Sequence, residues 1–192
     1  MKRMAIMFGG ALALAGCSQG NDGREPPAAD QANAALPAGA NDVESMGEGF
    51  AHPLIDSRGQ NIGMVSTQQN QGGVNLRVDV SGLPPGEHGM HIHEVGKCET
   101  PKFESAGAHW NWTGKKHGHQ NPAGYHAGDL GNLTVGADGK VKTEVTIEAA
   151  DWNSNNANGL ALVIHADPDD EKTDPSGNSG DRIACGLLFP AH

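Results

Sequence analysis

Aromatic side chains make up only 4 % of this 192-residue chain, and basic residues number 13 against 23 acidic ones. A formal charge of −10 and a pI near 5.3 exclude a nucleic-acid surface, because phosphate contacts need clustered Lys and Arg. No segment sustains the 3.6-residue apolar period of an amphipathic helix, which excludes a helical bundle. Long apolar runs are missing as well: the stretch from Ala5 to Ala15 falls short of the roughly 20 residues that span a bilayer. What the chain does have is glycine, 28 residues of it, and ten histidines. The first suits a loop-rich all-β protein, and the second, concentrated in one stretch, is a compositional sign of metal binding. The length suits one domain with extensions.

Lys2 and Arg3 followed by the apolar run read as an export signal spanning residues 1–16. The run ends in Leu14-Ala15-Gly16-Cys17, which resembles the bacterial lipobox, in which the chain is cut before a cysteine that then carries lipid. That resemblance implies a mature protein beginning at Cys17 and tethered to a membrane in the periplasm or cell envelope. Ser18 favours the outer membrane by analogy with other lipoproteins. With Cys17 lipidated, Cys98 and Cys185 remain as an even pair in an oxidising compartment, where a disulfide is the default. Residues 17–42, with Pro26-Pro27 and Leu36-Pro37 and no apolar period, are expected to form a flexible tether, leaving 43–192 as the folded domain.

Within that domain Val74, Leu76, Val78 and Val80 alternate with polar neighbours, as do Val141, Thr143, Val145 and Ile147. Both stretches are half-buried strands by their period of two. Leu160 to Ile164 reads as a fully apolar strand, while Gly82-Leu83-Pro84-Pro85-Gly86 and Ala137-Asp138-Gly139 supply turns. Residues 94–129 and 166–181 look like neither helix nor strand, and loops of that length in a compact domain are usually functional.

The unusual residues gather there. In Gly89-Met90-His91-Ile92-His93 strand alternation sends His91 and His93 to one face, where two imidazoles can grip one metal. His109, His117, His126 and Asp129 follow, three imidazoles and a carboxylate of the kind zinc accepts in four-coordinate sites. His165 closes the apolar strand, and a polar ring ending a buried strand needs a partner.

In order along the chain, GEHGMHIHE, SAGAHW, KKHG, YHAGDLGN, LVIHADPDD and GNSGDRIACGLL resemble the successive motifs of the copper/zinc superoxide dismutases, over about residues 43–190. The resemblance implies a Greek-key β-barrel or immunoglobulin-like sandwich with two long functional loops. It implies one copper per subunit on His91, His93, His109 and His165, and one zinc on His109, His117, His126 and Asp129, with His109 bridging the two. It further implies an Asp169 carboxylate orienting a histidine of each metal, Arg182 guiding the superoxide anion, and a disulfide between Cys98 and Cys185. Pairing into a homodimer is left open. His52, His88, His119 and His192 have no role in this scheme, and His119 is expected to be a solvated loop residue. The loop before Arg182 carries Asp167, Asp169, Asp170, Glu171, Asp174 and Asp181 against Lys172 alone, a poor lure for an anion when screening leaves only near charges effective. Trp112 stands where many relatives carry proline.

Overall fold

The computed structural model describes residues 49–148 and 157–189. Eight strands run in chain order: β1 Gly49–Asp56, β2 Asn61–Asn70, β3 Gly73–Ser81, β4 Gly86–His93, β5 Asp129–Val135, β6 Lys140–Glu148, β7 Leu160–His165 and β8 Arg182–Phe189. One short 3-10 turn, Glu104–Ala106, interrupts the first long loop. The sheet order is β5-β4-β7-β8-β1-β2-β3-β6, antiparallel throughout. The two outer strands, β5 and β6, are consecutive in the chain and joined by the Gly136–Gly139 turn, so the sheet curls into a nearly closed barrel. Chain crossovers from β3 to β4 and from β6 to β7 make the connectivity a Greek key. Where those paths meet, Gly82 N donates to Gly139 O at 2.8 Å, fastening one turn to the other.

Alternation determines which side chains fill the barrel. On β3, Val74, Leu76, Val78 and Val80 are buried and sit opposite Ile147, Val145, Thr143 and Val141 of β6. Each such Leu or Val contributes about 1.5–3 kcal/mol by leaving water. The strand β7 does not alternate because both its faces are covered. Leu160, Leu162 and Ile164 join the barrel core, whereas Ala161 and Val163 pack outside it against Phe103, Ala106 and Cys185. The long loop after β4 therefore brings its own apolar plug to the outer wall.

A disulfide between Cys98 and Cys185, with Cα atoms 5.7 Å apart, ties that loop to β8 across 87 residues of sequence. In the chain-entropy account a loop so long stabilises by about 4–5 kcal/mol. The export signal, the tether with Cys17, and His192 lie outside the described residues.

Candidate metal centre

On β4, Met90 and Ile92 point into the barrel core and His91 and His93 point out of it, under the two long loops. A single backbone bridge pairs His93 with His109, which brings the first loop back across the outer face of β4. His165 ends β7, whose Met90-facing Ile164 sits one residue earlier. Four imidazoles thereby converge, with ring centroids 4.0 Å apart for His91 and His109, 4.9 Å for His93 and His109, and 4.8 Å for His91 and His165. All four are at most 7 % exposed.

One nitrogen of each ring is committed. His91 Nε2 lies 2.7 Å from Asp169 Oδ2, His93 Nδ1 3.0 Å from Gly107 O, and His165 Nδ1 3.2 Å from Gly180 O. His109 Nδ1 lies 3.0 Å from Asp129 Oδ1. The other four nitrogens, His91 Nδ1 and the Nε2 atoms of His93, His109 and His165, are buried without a hydrogen-bond partner. Orphaned buried donors and acceptors are rare because each costs about 1–3 kcal/mol. One ring nitrogen from each of the four residues lies within 4.8 Å of the others, a cradle that can hold a cation. Burial is also the largest influence on their protonation, lowering His109 to about 4 and His165 to about 3, with His91 and His93 lowered as well. At neutral pH the rings are uncharged and their lone pairs free.

Beside this set lies a second. Asp129 Oδ1 is 3.0 Å from His109 Nδ1, 3.0 Å from His117 Nδ1 and 3.3 Å from His126 Nδ1, the last without hydrogen-bond geometry. Donors about 2.0 Å from a tetrahedral zinc lie roughly 3.3 Å from one another, so the spacing fits. Asp129 Oδ2 accepts the amides of Gly118 and His126 at 2.9 and 3.0 Å, which fixes the direction of the free oxygen. Burial opposes the charge of Asp129, yet the hydrogen bonds to His109 and His117 and the nearby His126 ring outweigh it and hold the carboxyl far below its usual range.

Joining the two sets, Asp169 reaches His91 Nε2 with one oxygen and His117 Nε2 with the other, at 2.7 and 3.0 Å. Burial alone would lower His117, but Asp129 and Asp169 on either side raise it to about 9.

The profile of the family described as copper/zinc superoxide dismutase (SODC) matches residues 61–188. The chain belongs to that family. It is 44 % identical over 142 residues to superoxide dismutase [Cu-Zn] 2 of Aquifex aeolicus, covering 70 % of this chain and 83 % of the other. It is 39 % identical over 196 residues to the superoxide dismutase-like protein YojM of Bacillus subtilis, covering 97 % and 95 %. Among solved structures, a superoxide dismutase-like protein from Bacillus subtilis superposes with a TM-score of 0.68 at 40 % identity, over 72 % of this chain and 97 % of that one. The Cu/Zn superoxide dismutase of Brucella abortus gives 0.61 at 28 % identity, over 73 % and 99 %. Members of this family of oxidoreductases bind copper and zinc, and the two histidine-rich sets are compatible with that pair.

The dismutase motifs place Arg182 beside the first set. It lines a cleft of about 610 Å³ together with His93, His109, His126, His165 and Ser176. Its Nη1 donates to Phe103 O and its Nη2 to Gly107 O, both at 2.7 Å, so the apolar plug of the first loop also anchors the guanidinium. Three carboxylates of the acidic loop have partners. Asp169 is engaged by two histidines, Asp174 by Lys116, and Asp170 by the amides of Thr173 and Lys172, which hold its carboxyl down at about 2. Trp112 is 47 % exposed.

Of His117 and His119, His117 is the one fully buried in the second set. His119 is exposed, yet its Nε2 donates to Asp129 O at 2.9 Å and its ring lies tilted against Tyr125, centroids 4.3 Å apart. Three contributors escaped the sequence reading. His88, inside the first motif, is buried with ring nitrogens 2.8 Å from both His165 O and Pro84 O, binding β4 to the end of β7. Asn132, last residue of YHAGDLGN, accepts Asp169 N at 2.7 Å and donates to Asp169 O at 2.9 Å. Asp174, the third, carried no signal beyond its charge.

Proposed function

We infer that this chain converts superoxide to dioxygen and hydrogen peroxide, with copper on His91, His93, His109 and His165 and zinc on His109, His117, His126 and Asp129. The observation that carries this reading is the set of four clustered imidazoles, each with an unpartnered buried ring nitrogen, one of them a ring whose other nitrogen faces the Asp129 set. A four-nitrogen donor set suits Cu(II), and three nitrogens with a carboxylate oxygen suit zinc. Bound copper supplies one-electron exchange: one superoxide gives up an electron and becomes dioxygen, and a second takes that electron with two protons to become hydrogen peroxide.

The protein's own groups set the conditions for this exchange. Asp169, Gly107 O and Gly180 O accept hydrogen bonds from the N–H groups at His91 Nε2, His93 Nδ1 and His165 Nδ1, leaving the lone pairs on the other ring nitrogens. His109 lines the cleft, and its Nε2 is the ring atom that would carry a proton to reduced oxygen. Arg182, held by two carbonyls, keeps further N–H groups and a permanent charge beside the cleft for a small anion. A same-fold metal binder without turnover is the alternative; the complete four-imidazole set and Arg182 favour the enzyme.

Elemental analysis and a dismutase assay on one sample, wild type beside Arg182→Ala, test the reading. The wild type should carry both metals and turn over, while the variant keeps its metals and slows about tenfold, the loss of one charge-assisted contact. Bound copper without turnover in the wild type would support the binder.

The protein works outside the cytoplasm, in the cell envelope, tethered through lipid on Cys17. The export-type start and the disulfide, a bond of oxidising compartments, support this. A mature N-terminal peptide that begins anywhere but a lipidated Cys17 removes the anchor.

A further inference from the structure

We propose that Asp174 is a positioning residue for His117, clamping the backbone of this histidine and so governing how long the second set retains its ion; this rests on the zinc assignment given above. Asp174 Oδ1 accepts the His117 backbone N–H at 2.6 Å, and its Oδ2 lies 2.6 Å from Lys116 Nζ. His117 belongs to no strand, so nothing in the sheet ladder fixes its backbone. Its ring is held by Asp129 and Asp169, and its main chain by a loop arriving from 57 residues away.

The contact is the centre of a seam between two loops. Gly118, at φ +93°, lies so close to the backbone of Glu171 that a Cβ would collide with it. Gln120 N donates to Glu171 O at 3.1 Å. The segment that arrives is already shaped: Asp170 accepts from Lys172 N, Thr173 N, Thr173 Oγ1 and Asn178 Nδ2, and Gly177 N donates to Thr173 O. This preformed unit touches the zinc side at two carboxylates, Asp169 on the ring of His117 and Asp174 on its backbone. Pro175 and Ser176, directly after Asp174, form part of the cleft wall. Retention of the ion and order of the cleft wall are thus tied to one side chain.

Of its two contacts, the amide bond is the effective one. Lys116 is 63 % exposed, and exposed ion pairs contribute little. An amide beside a fully buried ring loses its hydrogen-bond partner when the carboxylate goes.

Zinc transfer from the copper- and zinc-loaded protein to a chromogenic chelator measures the effect, with copper retention and the far-ultraviolet β-sheet spectrum reporting the fold. Asp174→Ala should release zinc at least about tenfold faster, the scale of lost orienting contacts around metal ligands. Asp174→Asn, which keeps an acceptor oxygen, and Lys116→Met should stay within about fivefold of wild type. Should the alanine protein fail to fold, Asp174→Ser, too short to reach the amide, takes its place under the same criterion. A smaller acceleration in the truncated variant, or an asparagine variant as leaky as the alanine one, overturns the clamp. Cobalt in place of zinc separates the two failures. A wild type that develops no tetrahedral cobalt spectrum overturns the zinc assignment and the clamp with it, whereas a normal spectrum with unaltered release in Asp174→Ala overturns the clamp alone.

Discussion

Replacing His165 with alanine is expected to remove copper and lower dismutation by at least about a hundredfold while zinc stays bound. Its Nε2 is one of the four unpartnered nitrogens, and its Nδ1 is spent on Gly180 O, so the ring serves the first set only. Loss of a residue that merely orients a ligand already costs about 10- to 100-fold, which sets the floor for loss of a ligand itself. The Asp129 set shares no atom with His165 and should survive. Copper and zinc content together with turnover of the purified variant check this. Copper held at full occupancy with activity within tenfold of wild type would exclude His165 from the copper set.

Asp129→Asn should weaken zinc by at least about a hundredfold and leave copper bound. The carboxylate faces three imidazoles with one oxygen while two amides hold the other, so a neutral amide of the same shape removes the charge and brings an N–H₂ group against existing donors. The same substitution should change the pH dependence of zinc uptake. In the wild type, Asp129 and Asp169 raise His117 to about 9 against the opposing influence of burial. Below that pH the arriving ion must displace a proton, so affinity falls as pH falls, by about tenfold per pH unit for one proton. An ordinary histidine has finished titrating by pH 7.5. A slope between pH 7 and 9 in the wild type that flattens in Asp129→Asn is therefore the signature, read by chelator competition at three pH values. Equal zinc affinity in the two proteins, or a flat wild-type profile, contradicts the assignment.

How much of this was legible depends on the range of the force involved. The alternation of Val74 to Val80 and Val141 to Ile147 yielded β3 and β6, because a strand's two faces are written in consecutive residues. The unbroken apolar run at Leu160 yielded β7 without revealing that the second apolar face is covered by Phe103 from another loop. Strands β1 and β2 escaped periodicity: β1 contains Pro53 and begins with three exposed residues, and β2 ends in Gln68-Gln69-Asn70. The histidines were legible through motif order, since side chains of rare type at set spacings carry chemistry in their names. Asp169, which orients His91 and His117, came with the motifs, but the main-chain contacts around the site did not. Asp174 reaches a backbone amide, Asn132 pairs with a backbone unit, and Arg182 is seated by two carbonyls. Main-chain partners look alike at every position, so no sequence pattern marks them.

His109 offers Nε2 to one set and Nδ1 to the other, and that shared membership has a thermodynamic corollary. Two ligands that depend on the same ring cannot have independent affinities. Whatever factor filling one seat applies to the other is returned unchanged when the order of filling is reversed. A titration performed in both orders must close the same cycle.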